Sequence, residues 1–95
     1  MPFDEPPGRT VFTTRRVTEL GYPVLVVSHD ADDGAWQFLC GTTNDPKDGV
    51  TESLASMLAR HPELEELSDL PRGWIAWRED KMSAWVREPH PVASA

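Results

Sequence analysis

The feature that most limits what this chain can become is a pair of apolar runs. Val24-Leu25-Val26-Val27-Ser28-His29 and Trp36-Gln37-Phe38-Leu39-Cys40 are separated by Asp30-Ala31-Asp32-Asp33-Gly34-Ala35. The first run is rich in β-branched residues and has the length of a strand. The spacer is a turn by composition, because Asp and Gly tolerate the backbone angles that turns require. Together the three segments predict a β-hairpin. With His29 opposite Trp36, one face collects Leu25, Val27, His29, Trp36, Phe38 and Cys40, and the other collects Val24, Val26, Ser28, Gln37 and Leu39. The first face is bulkier and is expected to meet the core. A slip of one residue would exchange one strand's faces, so the register decides the assignment.

The rest of the chain is punctuated around that hairpin. Residues 10–17 open with β-prone side chains and predict a short strand, after which Gly21-Tyr22-Pro23 breaks the pattern. Residues 41–49 read as a loop. A helix is expected to start within residues 51–53, with Leu54, Met57, Leu58 and His61 on one face, and to end at Pro62. Leu64, Leu67 and Leu70 recur every three residues, which suits a tight helical turn. Leu70-Pro71-Arg72-Gly73 fits a type I turn. Residues 74–78 and 84–87 then predict a second hairpin. The order of runs implies an α+β domain: a small antiparallel sheet of two hairpins, with one main helix and a short helical turn packed on one face. The domain is expected to occupy residues 10–88, between a disordered arm over 1–9 and a disordered tail over 89–95.

Charge and cysteine content exclude several function classes. The longest uninterrupted apolar run, residues 23–27, is far short of the ~20 residues needed to cross a bilayer. The acidic, proline-rich start lacks the basic and apolar segments of a secretory signal, so a cytoplasmic protein with no membrane association is expected. Cys40 is the lone cysteine, which rules out a disulfide framework and a paired-cysteine zinc site. The chain carries a net charge of −7, and residues 30–69 hold ten acids against two bases. Such a segment opposes phosphate, so no nucleic-acid binding is expected. Its natural electrostatic complement is a basic protein partner.

The candidate chemical sites are sparse. Asp30-x-Asp32-Asp33-Gly34 looks like a calcium loop but has Gly34 and Ala35 where a ligand and the invariant glycine belong. His29 and Asp30 could supply metal or ligand contacts, although neighbours on a strand point to opposite faces. Cys40 falls on the expected apolar face and reads as a buried structural thiol. No nucleophile elbow, phosphate-cradling glycine loop or HExxH motif occurs, so no catalytic residue and no cofactor is assigned. Trp74 and Trp77 have opposite parity, which leaves one of them at least half exposed with Arg78 or Arg87 nearby. Tryptophan and arginine are the types enriched at binding hot spots.

Two strings carry a resemblance. His29-Asp30-Ala31-Asp32-Asp33-Gly34-Ala35-Trp36-Gln37-Phe38-Leu39-Cys40-Gly41 and Asp69-Leu70-Pro71-Arg72-Gly73-Trp74-Ile75-Ala76-Trp77-Arg78 resemble segments of a recurrent group of roughly hundred-residue bacterial proteins of unassigned function. The stretch from Gly34 to Gly41 is also similar to the Gly-Trp-x-Phe-x-x-Gly element of a domain-of-unknown-function family linked to bacterial toxin immunity. Neither resemblance implies catalytic residues.

The leading expectation is therefore a small acidic, non-catalytic protein-interaction module, immunity-like or regulatory, that binds a basic protein partner. Its candidate contact residues are Glu63, Glu65, Glu66, Asp69, Trp77 and Arg78. A second reading is a ligand- or metal-binding domain, or an enzyme, with its site around His29 and Asp30. A third is a self-associating structural protein that forms a homodimer through the hairpin face bearing Val24, Val26 and Leu39.

Overall fold

The computed structural model describes residues 8–32, 34–41 and 46–89. The arm expected over 1–9 and the tail over 89–95 lie outside these residues except for Gly8, Arg9 and Pro89, and so do Asp33 of the hairpin turn and residues 42–45 of the following loop. The chain forms β1 (Thr10–Thr14), α1 (Arg15–Thr18), β2 (Val26–His29), β3 (Trp36–Leu39), β4 (Gly49–Ser53), α2 (Leu54–Arg60), β5 (Trp74–Trp77) and β6 (Val86–Pro89). Short 3₁₀ turns cover Pro46–Asp48 and Pro62–Leu67.

The hairpin forms in the anticipated register. His29 lies opposite Trp36 and Val27 opposite Phe38. The turn closes through Asp30 N–H to the Ala35 carbonyl at 2.8 Å and Gly34 N–H to the Asp30 carbonyl at 3.1 Å. Gly34 sits at φ +72°, a left-handed value that glycine adopts without strain.

The sheet is larger than the expected pair of hairpins, and this corrects the fold class. Six strands join in the order β4-β1-β3-β2-β5-β6. β2 pairs antiparallel with β5, which fuses the two hairpins into one sheet. β1 runs parallel to β3, with Phe12 beside Gln37, so the sheet is mixed rather than antiparallel. β4 pairs antiparallel with β1 along its whole length. The domain is a sheet-dominated α+β fold with short helices. The missing strand was hidden in a segment read as loop and helix start. Val50 and Thr51 are β-branched and follow Gly49, and their partners in β1, Thr13 and Phe12, are nearly forty residues back in sequence.

Where β4 occupies residues 49–53, the helix must begin later than expected. It starts at Leu54, and Ser53 is both the last strand residue and the N-cap, its Oγ accepting from Ser56 N–H at 3.1 Å. The first strand likewise ends at Thr14, and residues 15–18 turn into α1. The helical elements cover one face of the sheet. Between them and the sheet lies the core: Val11, Val27, Trp36, Phe38, Cys40 and Ala76 from the sheet side meet Val17, Leu54, Met57, Leu64, Leu67 and Leu70. One expected core residue is replaced by its neighbour. Val24 is fully buried and Leu25 only partly, because β2 proper begins at Val26 and the approach from Pro23 breaks the alternation.

Trp36 anchors this core. It stacks between His29, at a centroid separation of 3.9 Å, and Phe38, at 6.0 Å. Trp36→Ala is expected to destabilise the fold by about 3–5 kcal/mol in chemical denaturation, through lost burial and the cavity left behind.

Candidate interaction surface

The groups with the most chemical potential are built into the core. Cys40 is buried and its sulfur accepts from Thr14 Oγ1 at 3.6 Å. The His29 ring stacks on Trp36, and its Nδ1–H donates to the Leu70 carbonyl at 2.7 Å, tying β2 to the segment that follows the second 3₁₀ turn. Asp30 points to the opposite side of the sheet, where its carboxylate accepts from Gln37 Nε2 at 3.1 Å. His29 and Asp30 therefore do not converge on one ligand. Among the described residues, no three His, Cys, Asp or Glu side chains are grouped to hold a metal ion. Among the same residues, no helix is long and apolar enough to cross a membrane.

The six residues anticipated as one contact surface are divided by the structure. Glu63, Glu65, Glu66 and Asp69 lie on or just after Pro62–Leu67, on the helical side of the sheet. Trp77 lies on the other side, paired with Val26 and Val86. It is 39% exposed, as strand parity requires of one of the two tryptophans in β5. Arg78 is not a surface residue: it is 6% exposed and belongs to the interior. Its Nε and Nη2 donate to the Val24 carbonyl at 3.1 and 2.9 Å, Nη1 donates to the Lys81 carbonyl, and Nη2 also reaches Glu63 at 3.3 Å. The Trp85 ring covers the guanidinium at 4.3 Å. The planar fork explains the correction, since an arginine can satisfy several acceptors at once where a lone buried charge could not stay.

Internal pairing also removes part of the acidic ridge. Asp69 accepts from Arg87 Nη1 at 2.5 Å, and Arg87 Nη2 donates to the Glu66 carbonyl. That hydrogen bond, together with the arginine's charge, holds the Asp69 carboxyl below its usual range. Glu63 is shared between Arg78 and His61. Glu65 and Glu66 remain exposed, with no side-chain ion pair to another described residue.

The sheet face that no described helical element covers has a different character. Phe12, Gln37, Ser28, Ile75 and Glu88 lie side by side across β1, β3, β2, β5 and β6. Leu39, Val26, Trp77 and Val86 form the adjoining row. An antiparallel sheet face in contact with water ordinarily alternates to polar residues, yet Phe12 and Val86 are 45% and 41% exposed. Glu88 is the one charged residue among the described strand positions that share this face. Its carboxylate accepts from Trp77 Nε1 at 3.3 Å. Asp30 fringes the same face through Gln37. Both donors are neutral, so neither carboxylate is balanced by a base among the described residues. Sequence reasoning found part of this surface, in Val26, Leu39 and Trp77, but joined to it Val24, which is buried in the core, and missed Phe12, Ile75 and Val86, although Trp74-Ile75-Ala76-Trp77 signalled it: a run apolar at every position puts apolar groups on both faces.

Scanned against protein-family models, curated proteins and solved structures, the chain matched none of them.

Two expectations follow from the geometry. Arg78→Ala strands the Val24 carbonyl and uncouples the turn after β5, and should lower stability by about 2–3 kcal/mol in urea titrations, with Arg78→Lys restoring only part. Burial holds the His61 imidazole below its ordinary value of 6.5, with Glu63 opposing and Arg60 and Arg78 assisting. The unfolded chain therefore takes up a proton that the folded ring resists, so stability should fall as pH drops below 6.5. Thermal melts of the wild type and His61→Gln between neutral and acidic pH should show the smaller acid loss in the variant.

Proposed function

We propose that the protein is an acidic, non-catalytic interaction module that binds a basic protein partner, in its sharper form as an immunity-like or regulatory protein. The observation that supports this reading is the disposition of its functional groups. His29 and Cys40 are held inside the core by packing and hydrogen bonds, whereas the surface offers uncompensated carboxylates and a broad apolar sheet face. A net charge of −7 gives long-range attraction to a basic surface, which raises the encounter rate and weakens with salt.

The alternative of a ligand, metal or enzymatic site around His29 and Asp30 is disfavoured by their opposite orientations. The test is chromatography on the immobilised chain at low and moderate salt, with bound proteins identified and quantified. A stoichiometric basic protein retained at low salt and released as salt rises is the expected result. Glu65→Lys/Glu66→Lys should slow its association and flatten the salt dependence. A chain that retains nothing at either salt overturns the reading, and His29→Ala would then be assayed for a lost activity at unchanged stability.

A further inference from the structure

We propose that the docking surface of this module is the sheet face that no described helical element covers, and that its occupant is a segment of the partner carrying large apolar side chains beside lysine or arginine. The inference rests on the reading of the protein as a binder of basic proteins, and adds where and by what chemistry the partner is held. Phe12, Ile75, Trp77 and Val86 supply the apolar ground, and Trp77 is the kind of amphipathic aromatic that anchors interfaces. Contiguous exposed apolar surface on a sheet face marks an interaction site.

Charge selects the occupant. Two of the four acids in the 63–69 ridge on the helical side are answered from within, Asp69 by Arg87 and Glu63 by Arg78. Glu88 and Asp30 receive only the indole N–H of Trp77 and the amide of Gln37, so their negative charge is available to a cation that approaches along this face. A second copy of the chain fits poorly. It would bring its own Glu88 and Asp30 to the contact, and none of the described strand positions on this face carries a base to meet them. The dimensions suit a segment rather than a whole domain surface. Strands ~4.8 Å apart make the six-stranded face roughly 24 Å across, the length of a helix of about sixteen residues.

The test is a titration of the ¹⁵N-labelled full chain with an amphipathic peptide of about that helical length built from leucine and lysine, and with its counterpart in which glutamate replaces lysine. The lysine peptide should move the amide signals of Phe12, Ile75 and Trp77 and the Trp77 indole signal, and the glutamate peptide should move none. Trp77→Ala should weaken binding about tenfold or more. Asp30→Asn/Glu88→Gln should weaken it about three- to tenfold and remove most of its salt dependence. Val86→Ser, on the edge strand, repeats the apolar test should Trp77→Ala fail to fold. Shifts confined to residues 63–69 would overturn this surface while leaving the basic-partner reading standing. So would an unmoved spectrum from a chain that still retains a basic protein on the column. An unmoved spectrum with nothing retained overturns both. Concentration-dependent dimerisation abolished by Trp77→Ala in sedimentation velocity would overturn the proposal in favour of a second copy.

Discussion

Strand β2 is hydrogen-bonded along both edges, to β3 on one side and β5 on the other, and the positions of the other elements follow from it. Its N-terminal approach is held by Arg78, whose guanidinium takes the Val24 carbonyl and extends to Glu63 on the helical layer. Its C-terminal end is held by His29, whose backbone carbonyl accepts from Gly73 N–H at 2.6 Å and whose ring donates to Leu70. Two polar side chains thus clamp the two ends of the central strand to the segments that follow α2. Arg78 is buried with its guanidinium spread over acceptors that would otherwise be stranded, and His29 with its Nδ1–H on the Leu70 carbonyl and its ring packed on Trp36.

This clamping divides the molecule into unlike sides. On the helical side, cations reach out of the fold to meet acids, and the ridge of glutamates is partly neutralised from within. On the sheet side, the carboxylates meet only neutral donors and sit beside aromatic and aliphatic surface. A count of charge along the sequence cannot separate these cases, because what matters is whether a base comes within reach in space. The ridge contributes to the long-range field, and the sheet face offers close contact. Steering and anchoring are thereby assigned to different sides of one small domain.

What the sequence revealed and what it concealed have a common physical basis. The β2–β3 hairpin, its register, the helix bearing Leu54 and Met57, and the opposed directions of Trp74 and Trp77 all follow from local periodicity and turn chemistry. β4 and the parallel β1–β3 pairing do not, because the partner that makes a five-residue segment a strand is remote and no local pattern names it. The candidate site fared likewise. Parity alone required one of Trp74 and Trp77 to face outward without saying which, and Trp77 does so at 39% exposure, short of the half expected. Arg78 was misplaced because its burial depends on acceptors at Val24 and Lys81, one of them more than fifty residues away. Glu88, Asp30 and Phe12 become one surface only once β1, β3, β2, β5 and β6 are laid side by side.

The parallel neighbour of β1 carries a consequence for how the chain is assembled during synthesis. β1 is the first of the described strands, yet its two neighbours are β3 and β4, and β2 emerges before either without pairing with it. The growing polypeptide must therefore hold Val11 and Phe12 unpaired until β3 has been made, and one edge of β1 stays open until residue 53 completes β4, while the β2–β3 hairpin can close on its own. Loop closure of this span precedes any reward from its contacts, which sets a topological delay on β1. A nascent chain halted before β4 would hold β1 against β3 by one edge only, with its other edge open to pair with another chain.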